Sequence, residues 1–149
     1  MIDFDRLQII GEYRKGQFRN LLPYRTYHDV KDYGIYLIRF ADGQMYVGSS
    51  KHLYNRVNQH FGGFKRGNHN LPKLAKAFNE NSSFYIYLLA DCNRPNVYES
   101  SFLYGLRPNL NTFFPSDYRI HISELEEVAS IVGCTTQELI QNLENRGLL

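Results

Sequence analysis

The stretch YGIYLIRFADGQMYVGSS, residues 33–50, decides the fold. Two short runs rich in β-branched and aromatic residues, Tyr33 to Phe40 and Met45 to Gly48, flank Asp42-Gly43, so the stretch reads as a β-hairpin. Loop length then determines what the hairpin presents. A two-residue loop pairs Ala41 with Gln44 and sends Tyr36 and Tyr46 to opposite faces, because side chains alternate with period two. A three-residue loop pairs Ala41 with Met45 and Phe40 with Tyr46, and both tyrosines share a face. The second register also gathers Ile35, Leu37, Met45 and Val47 into one apolar layer, and is preferred for that reason.

Downstream of the hairpin the period becomes helical. Leu53, Val57 and Phe61 recur at i, i+4 and i+8 with Ser50 as N-cap, and Arg56 and His60 project from one stripe. GGFKRGNHN reads as a Gly-rich loop. It leads to a second helix near Leu71 to Asn79, capped by Asn70 and carrying Pro72 in its first turn. SSFYIYLLA is a third strand. Pro95 opens a third helix through Gly105, on which Glu99, Phe102, Leu103 and Leu106 share a stripe that points Glu99 toward the buried side.

The flanks are less regular. Residues 1–32 show mixed periodicity: Leu7, Ile9 and Ile10 form one apolar edge, and Phe18, Leu21 and Leu22 another. RKGQFRN and PYRTYH interleave basic and aromatic residues, which suits phosphate pairing and base stacking as well as a surface segment packing its rings on the body. Beyond residue 121 come two short helices split at Gly133, with capping-box patterns at Ser123/Glu126 and Thr135/Glu138. Their spacing is helix-turn-helix-like. The second helix, however, offers Glu138 and Glu144 before a single Arg146, which favours a structural or protein-contact role over DNA reading.

A chain of 149 residues, 43% hydrophobic and 21% charged, suits one globular domain with small additions. Cys92 and Cys134 are widely spaced and lack CxxC company, so neither a disulfide framework nor a thiolate zinc site is indicated. No apolar run reaches the ~20 residues of a membrane span, and the N-terminus is acidic where a signal peptide is basic, so a soluble, cytoplasmic protein is expected. The net charge of +2 divides unevenly: residues 122–149 hold five glutamates against one arginine, a net of −4, leaving +6 on residues 1–121. A moderately basic body suits a polyanionic partner.

The order strand, strand, helix, helix, strand, helix thus carries tyrosines on its first two elements, Arg and His on the third and a carboxylate on the last. With these motifs the sequence closely resembles the GIY-YIG nuclease family. GIY at 34–36 and YVG at 46–48 match its paired signature, Val47 standing for the commoner isoleucine. SSKHLYNRVNQH matches the following helix through Arg56 and His60, and RGNHNLPKLAKAF resembles the next segment through His69. VYESSFL supplies Glu99, and RPNLNT the late asparagine, most simply Asn111 with Asn109 as competitor. The resemblance covers about residues 33–114.

The resemblance implies an α+β fold, a small sheet of three antiparallel strands flanked by helices, over residues 33–117. Residues 1–32 would be an N-terminal extension and 118–149 a C-terminal helical segment. It also implies an endonuclease that hydrolyses DNA with Mg²⁺ or Mn²⁺, of the homing or the restriction type. In that chemistry Glu99 anchors the metal and Arg56 meets phosphate as a planar, permanently charged fork. Tyr36 and Tyr46 orient or deprotonate the attacking water, with Tyr36 favoured as base and the roles exchangeable. His60 donates to a phosphate oxygen or holds Tyr46, and Asn111 fixes the loop after the third helix and orients Glu99 or a water. Gly48, Ser49, Lys51, Lys65, Arg66 and His69 are the candidates for substrate contact. A homodimer would allow both strands of a duplex to be cut, and the acidic C-terminal helices would serve protein contacts. The competing reading is a non-catalytic nucleic-acid-binding or assembly module on the same scaffold.

Overall fold

The structure is a computed structural model that describes residues 2–24, 32–90, 95–112 and 122–145. Strands β3 (Gly34–Phe40) and β4 (Met45–Ser50) form the hairpin. They pair as Tyr36 with Gly48, Leu37 with Val47, Ile38 with Tyr46 and Arg39 with Met45. The Phe40 N–H closes the ladder by donating to the Gln44 carbonyl at 2.9 Å. The loop is therefore Ala41–Gly43, and the expected pairing of Ala41 with Met45 is corrected. Gly43 is the reason. At φ 91° it makes a left-handed bend, its N–H returns to the Phe40 carbonyl at 2.9 Å, and the Asp42 carboxylate accepts from the Gln44 amide at 3.1 Å. Three residues remain in the loop, so the facing survives the correction. Tyr36 and Tyr46 lie on one face with ring centroids 6.4 Å apart, while Ile35, Leu37 and Val47 are buried on the other.

The sheet has five strands, not three, in the order β2-β1-β5-β3-β4. The added pair is β1 (Gln8–Arg14) and β2 (Gln17–Asn20), and β1 runs antiparallel to β5 (Phe84–Ala90). A register shift between Ile9 and Gly11 buries Ile10 and Gly11 side by side. That bulge breaks the alternation by which a strand is read from sequence. Gly11 is needed where it stands: a Cβ would lie 3.1 Å from the Phe61 ring.

Helices cover both faces. α1 (Leu53–Arg66) and α2 (Pro72–Glu80) bury Val57, Phe61, Phe64 and Leu74 against Ile10, Ile38, Phe40 and Phe84. On the opposite face α3 (Pro95–Leu106), α4 (Ile122–Val132) and α5 (Thr136–Asn145) bring Phe102, Leu103, Val128 and Leu139 onto Leu37, Val47 and Leu89. The acidic C-terminal helices thus contribute to the core, packing on α3. Thr135 and Glu138 make the expected capping box, whereas Ser123 lies inside α4. Among the described residues no helix is long and apolar enough to cross a membrane.

Three helix boundaries differ from expectation. α1 begins at Leu53, and Ser50 ends β4 instead of capping the helix, its hydroxyl accepting from the His52 amide at 2.9 Å. α1 also runs through Gly62 and Gly63 to Arg66 and stops at Gly67, φ 70°. The supposed Gly-rich loop is largely helix, and Gly63 is there for a close approach, since a Cβ would meet the His69 Cα at 3.1 Å. α2 starts at Pro72 with Leu71, not Asn70, at the cap position.

Candidate active site

β4 is an edge strand, and that position lets both helical layers reach one place. Alternation turns Tyr46 and Gly48 toward the α1 side and Ser49 toward the α3 side. The outer edge of β4 is covered by the segment after α3. Asn109 Oδ1 accepts from the Met45 amide at 2.8 Å, and the Leu110 amide donates to the Met45 carbonyl at 3.0 Å. Asn111 then holds Val47 at both ends, accepting from its N–H at 2.8 Å and donating to its carbonyl at 2.7 Å. A side-chain amide so placed replaces a strand partner and clamps the residue between Tyr46 and Gly48. Both asparagines of NLN work on this strand, and Asn111 spends both amide atoms on Val47, not on Glu99.

Tyr36 is buried, with 1% of its surface exposed. Its hydroxyl lies 2.7 Å from His60 Nε2, and His60 Nδ1 lies 2.9 Å from His69 Nε2. The His69 Nδ1 accepts from the Leu71 amide at 3.0 Å. Phe64 stacks on His69 with centroids 4.5 Å apart and so fixes the plane of that ring. Burial lifts the Tyr36 phenol well above the usual tyrosine value, Tyr46 and Glu99 add to this, and Arg56 opposes it. His60 is pushed down to about 3, by burial first and then by His69 and Arg56, so it is neutral at physiological pH. Burial also lowers His69.

Tyr46 is only partly buried and opens on a cavity of about 420 Å³ that Glu99, Leu71, Leu103 and Asn111 also line. Burial, then the Glu99 charge, raises its phenol, and Arg56 lowers it. Glu99 reaches across the edge of β4: Ser49 Oγ donates to its Oε2 at 2.5 Å. Its Oε1 has no hydrogen-bond partner among the described residues. Arg56 is exposed on α1, and its guanidinium is likewise unpaired among the described residues. It lines two adjoining grooves with Gln59 and Arg66, one of about 280 Å³ that continues past Asn68, His69 and Asn70 and one of about 560 Å³ toward His52 and Asn55.

Tyr36, Tyr46, Gly48, Ser49, Glu99 and Asn111 are therefore brought together around β4, with His60, His69 and Arg56 on the α1 side. Arg66 extends the Arg56 grooves from the last turn of α1. Lys51 and Lys65 are exposed and line none of these cavities. Sequence reading missed Gln59, Asn68 and Asn70 as groove residues, although all three adjoin His60 or His69, which it had singled out. It also missed the Leu71 amide, for which a main-chain group leaves no sequence signal.

The donor set suits a hard divalent cation carried by one carboxylate, because Glu99 Oε1 has no hydrogen-bond partner among the described residues and magnesium keeps most of its ligands as water and substrate oxygen. Among the described residues no group of three or more His, Cys, Asp or Glu could form an all-protein cage. Residues 32–91 match the family model of the GIY-YIG catalytic domain. The match includes both tyrosine motifs, Arg56, His60 and His69, and stops short of Glu99 and Asn111. No curated protein and no solved structure matches the chain.

Proposed function

We infer that this chain, whose residues 32–91 belong to the GIY-YIG family and adopt its nuclease-type fold, hydrolyses phosphodiester bonds of DNA with the help of Mg²⁺ or Mn²⁺. One observation carries the reading. Tyr46 and Glu99 line one cavity beside the covered Tyr36, and Arg56, without a hydrogen-bond partner among the described residues, lowers both phenols while Glu99 raises them, which supports a shared site at this sheet edge.

Hydrolysis needs an activated water, neutralised phosphate oxygens and a stabilised leaving alkoxide. Arg56 meets the phosphate with its fork-shaped donors, and the charge lowers the cost of removing a proton from either phenol. Glu99, braced by Ser49, would hold the cation, which when bound supplies charge neutralisation at the phosphate and the leaving oxygen. Tyr36 orients the water and takes its proton, and Tyr46 supports it from the cavity wall. The exposure of the rings favours a second assignment, with these two roles exchanged, because Tyr46 faces the cavity beside Glu99 and Tyr36 is covered. Asn111 acts through Val47 as a positioning residue.

The direct test is incubation with supercoiled plasmid and Mg²⁺ or Mn²⁺, beside Glu99→Ala and Arg56→Ala. Nicking by the native chain that falls by roughly 10²-fold or more in each variant, with unchanged circular dichroism, supports the site. Equal nicking by all three chains sinks it.

A further inference from the structure

We propose that the hydrogen bonds joining the Leu71 amide, His69, His60 and Tyr36 form a one-way chain, which makes His60 a constant donor to the Tyr36 oxygen and His69 a positioning residue instead of a substrate contact. The proposal rests on the reading of Tyr36 as part of a phosphodiester-cleaving site.

Direction follows from the one member of the chain whose hydrogen cannot move. A backbone N–H only donates. The Leu71 amide, 3.0 Å from His69 Nδ1, therefore requires that nitrogen to be bare. An imidazole must keep one hydrogen, so His69 carries it on Nε2, and 2.9 Å away His60 Nδ1 has to accept it. His60 is then left with its hydrogen on Nε2, aimed at the Tyr36 oxygen at 2.7 Å. The Tyr36 hydroxyl hydrogen must turn away from His60. Reversing any link sets two donors or two bare nitrogens against each other at the buried His60 ring, which low dielectric makes costly.

The surroundings hold this chain rigidly. The His60 and His69 rings lie 14° from parallel with centroids 5.1 Å apart, as suits two imidazoles joined nitrogen to nitrogen. Phe64 stacks on His69. Gly63 leaves the space that His69 occupies, and the Asn68 amide ties the following turn to the Gly63 carbonyl at 3.0 Å. Pro72 begins α2 directly after Leu71, so the amide that starts the chain sits at a fixed helix entry. The chemical consequence falls on Tyr36. An N–H held on its oxygen stabilises the deprotonated phenol in the way an oxyanion donor does, and His60 cannot act as the base that removes the phenol hydrogen.

The test uses the full chain labelled with ¹⁵N at histidine, with the signals of His60 and His69 assigned among its five histidines by substitution. Long-range ¹H–¹⁵N correlation at neutral pH should show a protonated Nε2 and a bare Nδ1 for both rings. A protonated Nδ1 on either ring, or averaged shifts, overturns the proposal. Kinetics supply a second readout. His69→Phe keeps the stack on Phe64 but removes the donor, and should free His60 to sample both tautomers and lower the cutting rate at saturating DNA by about 10-fold or more. His69→Gln returns an N–H near the lost one and should restore the His60 tautomer and most of the rate, with DNA affinity unchanged in both variants. Weakened DNA affinity in both, with the His60 tautomer unmoved, would make His69 a substrate contact and reject the chain. If the native chain cuts no DNA, the nuclease reading fails while the nitrogen shifts still decide the direction of the chain.

Discussion

The Tyr36 phenol occupies the space that a side chain at position 48 would need. A Cβ on Gly48 would lie 2.5 Å from both Cζ and Oη of Tyr36, and 3.0 Å from Cε1 of Tyr46. The glycine that ends the second motif is thus fitted to the tyrosine that ends the first, across the pair the two residues form in the hairpin. Gly48→Ala should displace that ring and, with it, the bond to His60. Overpacking of this kind costs about 1–3 kcal/mol. Thermal melting should show the loss, and plasmid nicking should fall further than the residual folded fraction explains. Native stability and native nicking together would show that the ring moves aside without consequence.

Asn111→Ala removes both bonds to Val47 and leaves a main-chain donor and acceptor of the edge strand without their partner. The expected destabilisation is about 1–3 kcal/mol, read from urea unfolding. Asn109→Ala removes one bond, to Met45, and should cost less. Asn111→Asp keeps the acceptor for the Val47 N–H but sets a carboxylate oxygen against the Val47 carbonyl, so it should fail to rescue the alanine variant. Full rescue by aspartate would contradict the two-ended clamp.

Acid should loosen the fold through His60. Its folded value of about 3 lies below the ordinary imidazole value of 6.5, so between these limits the unfolded chain binds more protons than the native one. Stability from this group is complete above pH 6.5 and is lost as pH falls toward 3, with a slope approaching about 1.4 kcal/mol per pH unit. His69, also lowered by burial, adds in the same direction. Urea unfolding at pH 7, 6 and 5 should show declining stability, and the decline should be shallower in His60→Gln. Equal slopes in the two proteins would mean that His60 is not held neutral by the fold.

Tyr36→Phe and Tyr46→Phe separate the two phenols. Loss of the Tyr36 hydroxyl leaves the His60 Nε2 without its partner in a buried site, so this variant should lose both stability and cutting rate. Tyr46 is partly buried and no hydrogen bond to its hydroxyl is seen among the described residues, and Tyr46→Phe should fold normally. If Tyr36 is the base, its variant loses about 10²-fold or more in single-turnover rate and Tyr46→Phe loses less. The reverse order assigns the base to Tyr46.

Sequence alone determined the local periods and the residue types they carry. Runs of β-branched and aromatic residues placed β3, β4 and β5 and the recurrence of Leu53, Val57 and Phe61 placed α1, because each of these signals lies within a few residues along the chain, and the paired motifs GIY and YVG carried the likeness to the family that residues 32–91 match. Tertiary structure decided the rest. β1 escaped detection since the bulge after Ile9 breaks its alternation, β2 since it is only four residues long, and α1 passed through Gly63 where the close approach of His69 offsets the cost of helical glycine. The work of Asn111 on Val47 and of the Leu71 amide on His69 joins groups distant in sequence or borne by the main chain. Such bonds depend on where folded elements stop and which edge they meet, and no period in the sequence records that.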